Sequence, residues 1–110
     1  MNRVHNAHTA PLEWSELSDE QCPDGPISTG VWRDEDAAFA QVGVWEHPVG
    51  TSTDVEQDEV FVVLSGSGRV ILADGSELIL APGTVGVLEA GTATTWIIDE
   101  PLRKVWIGAR

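Results

Sequence analysis

From Ile27 onward the chain alternates short apolar runs with glycine and proline breaks. The runs are residues 38–45, 60–64, 69–73, 77–80, 85–88, 94–98 and 104–107. The breaks are Pro48-Val49-Gly50, Ser65-Gly66-Ser67-Gly68, Asp74-Gly75, Pro82-Gly83 and Ala90-Gly91. Runs this short at this spacing predict strands of an all-β sandwich or barrel. Asp74-Gly75 joins two runs by two residues and predicts a type I′ hairpin, in which glycine accepts the positive φ. Pro82-Gly83 suits a type II turn, with proline presetting φ and glycine taking the left-handed position.

Side chains of a strand change face at every residue. Read as one central strand, residues 53–64 place Thr53, Val55, Gln57, Glu59, Phe61 and Val63 on one face. Asp54, Glu56, Asp58, Val60, Val62 and Leu64 fall on the other, which begins acidic and ends apolar. The apolar half of that second face needs cover. Another sheet, the N-terminal arm or a second subunit would supply it, and a homodimer is the preferred expectation.

Residues 1–26 read as an N-terminal arm, and residues 27–108 as a single barrel domain. Within the arm, residues 11–17 are compatible with one helical turn or a short docked segment anchored by Leu12, Trp14 and Leu17. A chain of 110 residues is one domain by length. No run approaches the roughly 18 apolar residues of a membrane helix, and the polar start has no signal-peptide core. The expected setting is the cytoplasm.

Charge narrows the partners. The net charge is −12, and thirteen of the eighteen acids lie at or before Glu59 against two of the six bases. Such a field repels nucleic-acid backbones and anionic membranes, so neither is an expected partner. A single cysteine, Cys22, excludes an internal disulfide and any multi-cysteine metal site. Its acidic neighbours disfavour a reactive thiolate, and it reads as a loop residue.

At residues 58–66, Asp58-Glu59-Val60-Phe61-Val62-Val63-Leu64-Ser65-Gly66 places a glutamate seven residues before a glycine. Pro82-Gly83, then Ala90-Gly91 and Thr94, follow at the spacing of a second motif. The chain ends in Thr94-Thr95-Trp96-Ile97-Ile98-Asp99-Glu100-Pro101-Leu102-Arg103-Lys104-Val105-Trp106, and Gly43-Val44-Trp45-Glu46 with Gly50 lies upstream. Together these resemble the cupin superfamily, and within it the branch that includes the ureidoglycine aminohydrolase domain. The resemblance covers about residues 27–107. It implies a jelly-roll β-barrel with a ligand cavity inside.

Metal-dependent cupins hold their ion with two histidines spaced by one residue, a glutamate and a further histidine. Carried over by spacing, these positions fall on Thr53, Val55, Glu59 and Thr94, of which Glu59 alone is a good ligand. No metal or other cofactor is therefore expected. Of the three histidines, His47 alone lies in the barrel, and its place before Pro48 reads as a strand end facing water. Alternation points Asp54, Glu56 and Asp58 outward, as a solvated edge. Gly66-Ser67-Gly68 lacks the lysine and helix of a phosphate loop and reads as a turn. Ser65 and Ser67 have no histidine partner in view.

By the same resemblance, Glu59, Thr53, Val55, Phe61, Thr94 and Trp96 line the cavity, joined by Trp45 and Trp106. Aromatic walls with a few polar groups suit a small organic ligand, although the same residues also fill the cores of small barrels. A carboxylate in an apolar barrel is either an acid–base group or the partner of a base, for which Lys104 and Arg69 are the candidates. Three functions follow as expectations. The first is a metal-free cupin that binds a small molecule. The second is an enzyme in which Glu59 and Lys104 supply acid–base chemistry on a small polar metabolite. The third is a protein-interaction module with a filled barrel.

Overall fold

The computed structural model describes residues 1–110 as eight antiparallel strands and one 3-10 turn. The strands are β1 (Glu13–Glu16), β2 (Ser28–Asp34), β3 (Gln41–His47), β4 (Gly50–Val55), β5 (Glu59–Leu72), β6 (Glu77–Leu80), β7 (Val85–Leu88) and β8 (Ala93–Gly108). No helix is long and apolar enough to cross a membrane.

Two long strands organise the barrel. The C-terminal half of β8 pairs with β3 on one side and with the start of β5 on the other. Its N-terminal half pairs with β4 and with the end of β5. β1 and β2 extend the first sheet beyond β3, and β7 closes its other edge against β5. β6 closes the second sheet. The two sheets face each other over a core of Phe61, Val63, Val70, Leu80, Leu88, Ile98 and Leu102 with Trp96 and Trp106.

β8 keeps the same parity inward at both ends, with Thr94, Trp96, Ile98, Leu102, Lys104 and Trp106 buried and the exposed Asp99-Glu100-Pro101 between them. β5 does not. Phe61 and Val63 point inward before Gly66, and Gly68 and Val70 after it. Register shifts between Val63 and Gly68 mark a bulge, and the extra residue exchanges the two faces. Gly66 sits there at φ +91° against the backbone of Pro101, where a Cβ would collide. The Gly66–Gly68 segment is thus a bend inside one strand rather than the turn expected between two.

Other local expectations are corrected as well. Of the two expectations for residues 11–17, the docked segment holds, as the edge strand β1 paired with β2, and the helical turn does not; the one helical turn is the 3-10 turn Asp19–Gln21. The Asp74-Gly75 hairpin is not type I′, because Gly75 has positive φ and Asp74 does not. Gly75 N–H donates to the Leu72 carbonyl, and Leu72 N–H donates to that of Ser76. This is the three-residue loop that ends in a left-handed glycine. Asp74 accepts from the backbone N–H and hydroxyl of Ser76 at 2.8 and 2.6 Å, which holds its carboxyl below the ordinary value.

The expected central strand is two strands. β4 ends at Val55 and β5 begins at Glu59. Residues 56–58 break the period, so the inward set is even on β4 and odd on β5. Ser52 is buried while Val55 is 63% exposed.

Candidate functional site

A cavity of about 300 Å³ opens between the first sheet and β4. Trp45, Trp96 and Trp106 supply its aromatic wall, and Ser52, Glu59 and Lys104 are among its polar lining. Arg33 lies over the Trp106 ring at 5.6 Å. The 3-10 turn reaches the same cavity. Gln21 lines it and donates from Nε2 to the Thr53 carbonyl at 3.2 Å, while Leu17 covers an adjacent part.

Lys104 is the centre of the site. Its Nζ donates to Glu59 Oε2 at 2.6 Å. The same ammonium lies 4.6 Å from the Trp45 ring, 4.7 Å from Phe61 and 4.6 Å from Trp96. Three π faces and one carboxylate therefore enclose a cation that is only 4% exposed. The strands dictate this meeting. Lys104 and Trp96 share the inner face of β8, Trp45 is in register with Lys104 from β3, and Phe61 follows Glu59 by two on β5. Of the two bases considered for Glu59, Lys104 is the partner; Arg69 lies 3.4 Å from Glu77 instead.

A second polar cluster lies beside the first. Glu56 is buried, and its Oε2 accepts from Thr94 Oγ1 at 2.6 Å and from Trp96 Nε1 at 3.1 Å. It fixes the indole that faces Lys104. Asp54 stands at the rim, where loss of water on the cavity side and then the charge of Glu56 raise its carboxyl above the ordinary value. His47 is fully buried beneath Trp45, with ring centroids 5.4 Å apart. Its Nδ1 lies 2.6 Å from the Pro48 carbonyl and its Nε2 2.8 Å from Ser52 Oγ.

The expected site residues divide into three groups. Glu59, Lys104, Phe61, Trp45 and Trp96 come together around the ammonium, with Trp106 on the same cavity wall. Thr53 is at the mouth, and Thr94 is buried against Glu56 rather than facing open space. Val55 points out of the barrel and is removed from the lining. The outward placement of Glu56 and the solvent-facing placement of His47 are overturned by their burial. Both errors come from the face exchange at residues 56–58 and from reading Pro48 as a boundary with water. A hint was present in Ser52, Asp54 and Glu56, whose period of two runs parallel to the expected inward set.

The residues do not fit a transition-metal site. Among the positions that correspond to the ligands of metal-dependent cupins, Val55 faces outward and Thr53 and Thr94 are hydroxyls tied to other groups. Glu59 already has one carboxylate oxygen on Lys104. No three His, Cys, Asp or Glu side chains converge as an ion would require.

A family model described as the EutQ-like cupin domain matches residues 33–106. No curated protein matches the chain. Among solved structures, the EutQ protein of Clostridium difficile is similar at TM-score 0.62 and 16% identity, over 74% of this chain and 68% of that one. A putative ethanolamine utilization protein Q of Salmonella typhimurium LT2 is similar at TM-score 0.67 and 13% identity, over 92% and 97%. Ectoine synthase from P. lautus is similar at TM-score 0.67 and 14% identity, over 86% and 67%. Identities this low speak to the fold alone.

Proposed function

The chain belongs to the EutQ-like cupin domain family, and from that premise we propose that it is a metal-free, small-molecule-binding cupin of the cytoplasm that works as a homodimer. One observation carries the reading. The cavity of about 300 Å³ is walled by three tryptophans and keeps the Lys104–Glu59 pair on its surface. An internal ammonium takes the carboxylate that metal-dependent cupins devote to an ion, so charge and hydrogen bonds remain available to an organic ligand without a metal. Asp54, Glu56, Asp58 and Glu59 outnumber Arg33 and Lys104 in the lining, which favours neutral or cationic ligands over anions. A barrel that served only as an interaction module is expected to be filled, and this one has room.

The cavity tryptophans make the test direct. Titration with a panel of small amines, amides and carboxylates is expected to give a saturable change in tryptophan fluorescence with at least one amine or amide. Glu59→Gln is expected to keep the circular dichroism spectrum and weaken that binding. A panel without any saturable response, or a Glu59→Gln protein that binds as well as the parent, removes the proposal.

The Lys104–Glu59 contact also favours a second reading, acid–base catalysis of the kind the aminohydrolase-like branch of cupins implies. A carboxylate 2.6 Å from an amine can pass a proton to and from it beside a bound substrate. Turnover of a small amide in chelator-treated protein, lost in Lys104→Met, would select it over simple binding.

A further inference from the structure

His47 and Ser52 stand apart from the Lys104–Glu59 pair that carries the binding reading, and their geometry is that of a nucleophile and its base. His47 closes β3 and Ser52 follows it on β4, so the short Pro48-Val49 connection brings them face to face. The Pro48 carbonyl can only accept a hydrogen bond, so Nδ1 carries the ring proton and donates it there. Burial, and after it the positive charge of Lys104, holds His47 below the ordinary histidine value despite the opposing pull of the Pro48 carbonyl. The neutral ring then has a bare Nε2, and the Ser52 hydroxyl donates to it at 2.8 Å. A hydroxyl bonded to an imidazole that a third group orients is the arrangement that activates serine, with a backbone carbonyl here in the place of a carboxylate. Ser52 also lines the cavity.

We propose that Ser52, with His47 as its general base, is an acyl-accepting nucleophile for a small ester that enters the cavity. Ser52 Oγ forms a bond to the acyl carbon while its proton passes to His47 Nε2. The carbon–oxygen bond to the alcohol breaks, and the alcohol leaves with that proton. Water then attacks the acyl-serine with His47 again as base, releasing the carboxylic acid and restoring the hydroxyl. The sum is ester plus water to acid plus alcohol, with no oxidant or reductant. The charged groups sharing the cavity are Lys104 and Arg33 against Asp54, Glu56, Asp58 and Glu59, so an uncharged or cationic ester suits it better than an anionic one.

The test uses the folded wild-type protein. It is incubated with a neutral alkyl fluorophosphonate, whose stable adduct peptide mass spectrometry locates, and separately with p-nitrophenyl acetate, whose release of p-nitrophenol is followed. The expected result is one adduct per chain on Ser52, absent when the protein is unfolded in urea. Ser52→Ala is expected to abolish it, and His47→Gln to slow it by about 100-fold or more. Both substitutions disturb a buried pair, so the wild-type adduct is the deciding measurement. Unmodified Ser52, or modification at other residues alone, overturns the proposal and makes the bond a tie between β3 and β4. The inference rests on the open cavity of the binding reading, and the two fail separately. A saturable fluorescence response without a Ser52 adduct removes the nucleophile and leaves the binder. A Ser52 adduct without any saturable ligand supports the nucleophile and removes the binder.

Discussion

Lys104 brings a full charge into the barrel, and four side chains make this tolerable. An ammonium out of water needs a partner and hydrogen bonds. Glu59 provides both, and each aromatic face adds attraction on the order of 1 kcal/mol. The two ends of the pair are not equivalent, because the Lys104 side chain is 5% exposed and that of Glu59 18%. Removing the carboxylate strands the cation among rings. Removing the ammonium leaves a carboxylate with access to water in the cavity and a hole that a thioether fills well. Glu59→Leu is therefore expected to lower stability by about 2–4 kcal/mol, toward the range for breaking a buried pair, and Lys104→Met by about half as much. Urea denaturation of the two variants checks this, and equal losses would show that the charge is not the dominant cost. At this scale Glu59 was legible, because its spacing to Gly66 is specific. Lys104 was legible only as one of two possible partners, since pairing across β5 and β8 depends on register. Glu56 and Ser52 were not, because one unflagged turn exchanged the faces and the period of Ser52, Asp54 and Glu56 is only a hint of it; His47 was not, because Pro48 reads as a boundary with water.

At the scale of the element, β7 shows how a strand with little side-chain volume shapes the site. Gly86 is in register with Phe61, and a Cβ on it would run into the Phe61 ring. The glycine leaves room for the tip of the ring beside the β7 backbone, and from there Phe61 reaches Lys104. Gly86→Ala forces the ring inward, toward an ammonium that is already enclosed. The expected cost is that of overpacking, about 1–3 kcal/mol. The predicted signature is lower thermal stability together with a shift of tryptophan emission, since Phe61 packs 5.8 Å from Trp96. An unchanged melting temperature would mean that Phe61 has a second place to go. The punctuation of the chain located β6 and β7 to the residue, because Asp74-Gly75 and Pro82-Gly83 are true turns. The same reasoning split β5 and β8 in two. Gly66-Ser67-Gly68 and Asp99-Glu100-Pro101 look like loops, yet each lies inside a strand that bends from one sheet into the other. Local composition marks a bend in either case, and only long-range pairing decides whether the ladder continues through it.

Over the whole molecule, the outer face of the first sheet is more apolar than water tolerates. Val42, Ile107, Val60 and Val87 form one row across β3, β8, β5 and β7, and Val44, Val105, Val62 and Val85 form the next. The N-terminal arm covers only one end. Arg3 and His5 bond to Asp34, which lowers the Asp34 carboxyl well below its ordinary range, and Arg103 holds the carbonyls of Ala7 and Ala10. At the other end Val60, Val85, Val87 and Ile107 remain 41–67% exposed. A contiguous exposed apolar patch of this kind marks an interaction surface, and a second copy of the same face is the occupant in the proposed homodimer. Each chain carries a net charge of −12, so the copies repel at long range and attract only where the valines meet. Salt screens the repulsion and leaves the apolar contact intact. Sedimentation equilibrium is accordingly expected to give twice the chain mass, with tighter association at about 0.5 M than at about 0.02 M salt. Val60→Glu combined with Val87→Glu is expected to give a monomer with an unchanged circular dichroism spectrum, because both side chains already lie outside the barrel. A monomeric wild-type mass at high protein concentration in high salt would assign this face to some other partner.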